Sequence, residues 1–242
     1  VGTAAKDDYG LKTSADTGRR VAHVASLMRT AAGNKLPIID VLVVQDNEDR
    51  YGAKTIDQFL ELHRDKAVFR LQEVSREKIH RCIACDICPI APGLKQEYRC
   101  IVKQQSDFFF REHENLIAPD AVILAAFSPK DKSRMHSTYQ KMIERTRYLR
   151  RDDYAIGDIL TAPLVISEVD SNQNLHIRMM TSMVRHHMVL HHPLNVFYHN
   201  GNSLNLESFH NHLGDFVQNA TRLATFRDGS SADLERRREY VP

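Results

Sequence analysis

The sequence predicts a doubly wound α/β fold, a five-stranded parallel sheet with helices on both faces, and three observations predict it. Short aliphatic runs recur along the chain at residues 40–44, 67–74, 120–126, 162–169 and 194–198. Two of them, Val41-Leu42-Val43-Val44 and Ala121-Val122-Ile123-Leu124-Ala125-Ala126, are apolar without alternation, as strands buried on both faces of a parallel sheet are. Between the runs lie segments with apolar residues at helical spacing, so strand and helix alternate, the pattern of right-handed βαβ crossovers.

Taken in order, residues 1–37 form a helical extension. Over 14–30, Val21, Val24, Leu27 and Met28 fall at helical spacing and offer a face to a partner. The strand at 40–44 leads through a polar turn to a helix at 55–63, then to the strand at 67–74. Residues 75–105 interrupt the sheet with four cysteines, Pro89, Pro92 and Gly93, a connection long enough to imply ligation or function. In the helix at 106–117, Phe108, Phe109 and Phe110 with Leu116 and Ile117 read as a buried face. The strand at 120–126, a helix at 134–149, the strand at 162–169 and a helix at 175–188 follow. His186, His187, His191 and His192 stand at the junction of that helix with the last strand, where histidines more often close a helix than bind metal. A final helix occupies 206–223. The domain is thus expected over 38–227, with its cysteine loop at 79–103 and a charged tail at 228–242.

Lys and Arg number 33 against 31 Asp and Glu, a formal charge of +2. That balance gives no basic stripe for nucleic acid and no pull toward an anionic membrane. No apolar run approaches the roughly twenty residues that span a bilayer, and residues 1–20 lack an apolar signal core, so a cytoplasmic location is the expectation.

Cys82, Cys85 and Cys88 are separated by two residues each, and Cys100 follows after eleven more. Three thiolates at that spacing can each take one iron of a cubane, and the fourth completes a [4Fe-4S] coordination. Zinc is the leading alternative, although it usually draws on two separated C-x2-C pairs, and the plainest reading is a set of unmetallated thiols that line a loop. Arg81 and Arg99 flank the set and could offset its negative charge.

The order of these features, with Pro119-Asp120-Ala121-Val122-Ile123-Leu124, Ser128-Pro129, Lys141-Met142-Ile143-Glu144-Arg145, and Cys100-Ile101-Val102-Lys103 leading to Asp107, resembles the iron-sulfur flavoprotein family. That family groups with the NAD(P)H-dependent FMN reductases of flavodoxin-like fold. The resemblance covers about 40–223 and implies FMN beside a [4Fe-4S] cluster on Cys82, Cys85, Cys88 and Cys100. In relatives the loop after the first strand holds the FMN phosphate at a helix N-terminus. Here Arg50, Gly52, Ala53, Lys54 and Thr55 stand in its place, where free amides and the helix dipole favour a dianion. Upstream, Gln45-Asp46-Asn47-Glu48-Asp49 replaces the family's small residues. The second flavin loop corresponds to Ser128, Pro129, Lys130 and Asp131, with Lys130-Asp131 in place of an apolar-aromatic pair.

The implied activity is FMN-dependent oxidoreduction or electron transfer, fed by NAD(P)H or a ferredoxin-like donor, with the acceptor open and a homo-oligomer or larger complex expected. No residue is assigned as acid or base, because the cofactor carries the chemistry. The rival reading is a flavin-less structural or binding subunit whose cysteines hold zinc or a cluster.

Overall fold

In the computed structural model of the protein, the residues described are 7–30, 35–45, 52–85, 87–88, 98–128, 137–150, 155–171 and 174–229. They form α1 (Asp8–Thr30), β1 (Ile38–Gln45), α2 (Ala53–Leu60), β2 (Val68–Gln72), α3 (Phe108–Arg111), α4 (His113–Ile117), β3 (Ala121–Ser128), α5 (Ser137–Arg145), β4 (Leu160–Glu168), α6 (Leu175–Val184), β5 (Val189–Leu190), β6 (Val196–His199), β7 (Asn202–Ser203) and α7 (Leu206–Gly229). The chain divides into two compact units, Leu36–Ala220 on one hand and Val1–Lys35 with Thr221–Pro242 on the other. In the smaller unit α1 begins six residues before the predicted 14. Of its expected apolar face Val24 is buried while Val21 is exposed.

The larger unit is built on one sheet of order β2-β1-β3-β4-β6-β7, with β5 paired to β4. All pairings are parallel except β6 with β7. Every expected strand is present, and the non-alternating runs are the central ones: all of β3 and β4 is buried, as strands covered on both faces must be. The sheet has seven strands rather than five because β5 and β7 are two-residue pairings, below the length at which apolar periodicity reveals a strand. β7 closes a hairpin on β6 through Asn200 (φ 50°) and Gly201 (φ 82°). Left-handed backbone at both positions is what an Asn-Gly two-residue turn supplies.

A proline sits inside β4, where the lost N–H would ordinarily break a ladder. Pro163 avoids that cost because β4 lacks a continuous outer neighbour there. β5 pairs only with Leu160 and Thr161, and β6 only with Ile166 to Glu168. Between them the Leu194 amide donates to the Pro163 carbonyl at 2.8 Å.

On one face of the sheet Leu42, Val44, Val122, Leu124, Ala126 and Val165 pack in a single core with Phe108, Phe109, Met142, Met179 and Met183 from the helices. Ile39, Val41, Val43, Ala121, Ile123 and Ala125 alternate to the opposite face and are equally buried. So are Ile56, Phe59 and Leu60 of α2 and Phe209, Leu213 and Phe216 of α7, and the Phe59 and Phe209 rings meet at 5.3 Å.

Helix bounds are where the expectations needed correcting. The stretch 106–117 splits into α3 and α4 at Glu112. The stretch 134–149 is α5 followed by a 3-10 turn over Thr146–Arg150, and α2 likewise ends in a 3-10 turn, Glu61–His63. The fourth helix stops at Val184 rather than 188, because His187 turns to a left-handed conformation (φ 57°) and its amide closes on the Val184 carbonyl.

Candidate functional site

The cysteine segment is fixed to the domain by one carboxylate. Asp107, wholly buried, caps α3 by accepting from the Phe110 amide at 3.2 Å. Its other oxygen accepts from the His80 amide at 2.9 Å and faces His80 Nδ1 at 3.0 Å. The Phe108 amide adds a bond to the Lys78 carbonyl. The run that carries Cys82, Cys85 and Cys88 is thereby laid along the start of α3.

The four cysteines come together. Cys82, Cys85, Cys88 and Cys100 line one recess, together with Ile83, Ala84, Val102 and Arg147. Cys88 and Cys100 are buried and belong to the same core as Phe108 and Phe109, while Cys82 and Cys85 are partly exposed. All four are free cysteines. Burial pushes the Cys88 thiol up, and the neighbouring Cys100, Cys85 and Cys82 add to the push. Among the described residues no three Cys, His, Asp or Glu side chains stand close enough to hold a single metal ion.

A buried guanidinium faces this set. Arg145, the last residue of α5, is 2% exposed. Its Nη1 donates to Cys100 Sγ at 2.6 Å, and its Nη2 donates to Asp107 at 2.9 Å and to the Tyr98 hydroxyl at 2.8 Å. The Tyr98 hydroxyl donates in turn to the Val102 carbonyl. The guanidinium also lies 5.7 Å from the centre of the Phe109 ring. Burial opposes its charge, but the bonds to Asp107 and Cys100 outweigh that and hold it above the ordinary arginine value. Asp107 is the reciprocal case. Burial would raise its carboxyl, yet the His80 amide and Arg145 together hold it below the usual range.

One of the two expected counter-charges is arranged differently. Arg81 makes a two-pronged pair with Glu144, at 3.0 and 2.6 Å, and ties the cysteine run to α5 instead of facing sulfur. Arg145 was visible in the sequence only as the end of a family-like Lys-to-Arg motif. Nothing local marks it as buried, since Glu144 precedes it and Arg147 follows it.

The second group of expected residues stands at the carboxyl ends of the strands. β1 and β3 are neighbours from which the strand order runs in opposite directions, the switch point at which open α/β sheets bind ligands. Beyond β1, Gly52 caps α2 with extended backbone and no side-chain cap, its carbonyl accepting from the Thr55 and Ile56 amides. The amides of Ala53 and Lys54 take no acceptor among the described residues, as first-turn amides do. Ser128 ends β3 with its hydroxyl donating to the Ser171 carbonyl at 2.8 Å, while the Ser171 hydroxyl donates back to the Ser128 and Glu168 carbonyls. These bonds lock the turn after β4 onto β3. Arg50, Pro129, Lys130 and Asp131 lie outside the described residues.

The histidines read as a helix end do close α6 through His186 and His187. His191 lies edge-on to Phe216 and His192 stacks on His212.

No protein-family model matches the chain, and no curated protein matches it. Among solved structures, it is similar to the flavoenzyme NAD(P)H:(acceptor) oxidoreductase FerB from Paracoccus denitrificans, at 15% identity and a TM-score of 0.48, over 75% of this chain and 96% of that one. An oxidoreductase from Corynebacterium diphtheriae gives 12% identity and a TM-score of 0.47, over 78% and 96%. RosB, with bound 8-demethyl-8-formylriboflavin-5'-phosphate, gives 12% and 0.49, over 86% and 88%. Likeness at this level carries no functional inference for the chain. Among the described residues no helix is long and apolar enough to cross a membrane.

Proposed function

We propose that the chain is a flavodoxin-like electron-transfer oxidoreductase that holds an iron-sulfur cluster on Cys82, Cys85, Cys88 and Cys100 and FMN at the switch point between β1 and β3. The observation that carries the reading is that four cysteines line one recess and one of them, Cys100, is bonded by a buried arginine. A tetrahedral zinc ion needs all its sulfurs about 2.3 Å from one point. The run of three thiols two residues apart, with the fourth beyond the loop, favours a [4Fe-4S] cluster, whose ligands go to separate irons.

The chain's own residues have definable parts. Arg145 sets a fixed positive charge and an N–H donor against Cys100, and both favour the more negative, reduced state of a thiolate-bound centre. Ile83, itself largely exposed, and Val102 line the recess beside the cysteines. At the other site, the first amides of α2 at Ala53 and Lys54 and the dipole behind them suit a phosphate dianion. FMN, when bound, supplies the exchange between two-electron and one-electron transfer. The donor is proposed to be NAD(P)H or a ferredoxin-like protein.

The test is anaerobic purification with iron, sulfide, zinc and FMN quantified per chain, alongside a visible spectrum. About four iron and four sulfide with about one FMN is the expected result. Iron and sulfide without flavin would remove the switch-point half of the proposal. Zinc without sulfide or flavin would overturn it and leave the binding-subunit reading.

A further inference from the structure

A second cavity, distinct from the cysteine recess although it shares the Phe109 ring on which Arg145 rests, lies in the core. It is walled by Leu42 of β1, Val122 and Leu124 of β3, Met142 of α5, Met183 of α6 and Phe109 of α3, and it also reaches Thr161, His186 and Met188. Val122 and Thr161 are register partners near the amino ends of β3 and β4. The cavity therefore sits toward the end of the sheet opposite Ser128.

Its polar lining is almost entirely engaged. The Thr146 hydroxyl donates to the Ile143 carbonyl and the Thr161 hydroxyl to Met183 Sδ. The Ser182 hydroxyl is shared between the Arg178 carbonyl and the Tyr139 hydroxyl. One atom is left over: His186 Nδ1, on a side chain 5% exposed, has no hydrogen-bond partner. A buried polar atom without a partner costs stability, and native structures rarely leave one without a reason.

The space would take roughly four waters by volume. Each buried water needs two to four polar partners, however, and three hydroxyls that can only accept, with one nitrogen, are sparse for a cluster in a lining otherwise of Leu, Ile, Val, Met and Phe. A single small ring matches the lining better, provided that it brings one polar group to Nδ1. A hydroxyl suits either tautomer of a neutral imidazole, since it can donate to an unprotonated Nδ1 or accept from a protonated one. Burial, reinforced by the charges of Arg150, His187 and Arg185, pushes His186 down to about 4, so at neutral pH the ring is uncharged and does not call for an anion.

We propose that this cavity is a binding site for a small apolar ring carrying one hydroxyl group, seated among the methionines with its hydroxyl on His186 Nδ1. The site is distinct from the cysteine recess and does not require flavin.

Phenol and benzene serve as probes against the full chain at neutral pH, with methionine methyl groups observed by NMR. Phenol is expected to shift Met142, Met183 and Met188 saturably, leave Met180 unchanged, and bind about tenfold more tightly than benzene, the worth of one buried hydrogen bond. In His186→Phe that advantage should vanish. If the three methyls do not respond to phenol, or if phenol and benzene bind equally to the unaltered chain, the proposal is overturned. The comparison of the two probes needs no variant, so the result stands even if His186→Phe fails to fold.

Discussion

A single arginine does what a sequence rich in surface arginines does not advertise: Arg145 spends its guanidinium on a sulfur, a carboxylate and a phenol, with almost no contact with water. Removing it leaves Asp107 buried without its counter-charge, so Arg145→Met is expected to cost about 3–5 kcal/mol. Arg145→Lys keeps the charge but cannot fork to three acceptors, and its loss should be smaller; urea unfolding midpoints of the two variants test the order. His186 sets a pH dependence. Its folded value of about 4 lies below the ordinary 6.5, so between those pH values the unfolded chain binds a proton that the folded chain refuses. Stability should accordingly be unaffected above about 6.5 and fall as pH drops toward 4, by on the order of 3 kcal/mol from this residue. His63, His191 and His210, also lowered mainly by burial, act in the same direction. His186→Phe should remove its own share of the slope in denaturation measured across that range, with the rest of the slope retained.

At the scale of elements, the strands were legible because burial on both faces writes itself as unbroken aliphatic runs, and β1, β3 and β4 stand close to where those runs lie. The helix ends were less legible. Glu112 and His187 divide or stop helices through backbone geometry and tertiary bonds, and neither residue type is a helix breaker by propensity. The Asn200-Gly201 pair, by contrast, is a strong local hairpin signal, and its strand was missed because two residues carry no periodicity. The turn of the cysteine run has a testable feature of the same kind. Ala84, between Cys82 and Cys85, has φ 50°, a conformation that costs a side-chain-bearing residue roughly 1 kcal/mol and glycine almost nothing. Ala84→Gly is therefore expected to keep the fold and gain up to about 1 kcal/mol, less the entropy glycine adds to the unfolded chain. Ala84→Val should lose stability, and thermal unfolding of the two variants checks the sign.

For the molecule as a whole, the cysteine spacing announced a candidate site, but not how the site is held. The four cysteines could be grouped from sequence because their spacing is local. The guanidinium beside them could not, because it arrives from a helix that follows β3, 45 positions along the chain from Cys100. Asp107 makes the joint, bridging to His80 across 27 positions and to Arg145 across 38. Contacts that close such loops lose chain entropy before they return anything, so the joint should form on the native side of the folding barrier. Asp107→Asn is then expected to speed unfolding while leaving the refolding rate nearly unchanged, as stopped-flow chevrons would register. The same ordering bears on assembly in time: on a ribosome, Arg145 can reach Cys100 and Asp107 only after residue 145 has emerged and its helix has docked, so the four thiols stay without that counter-charge while the first three strands are made.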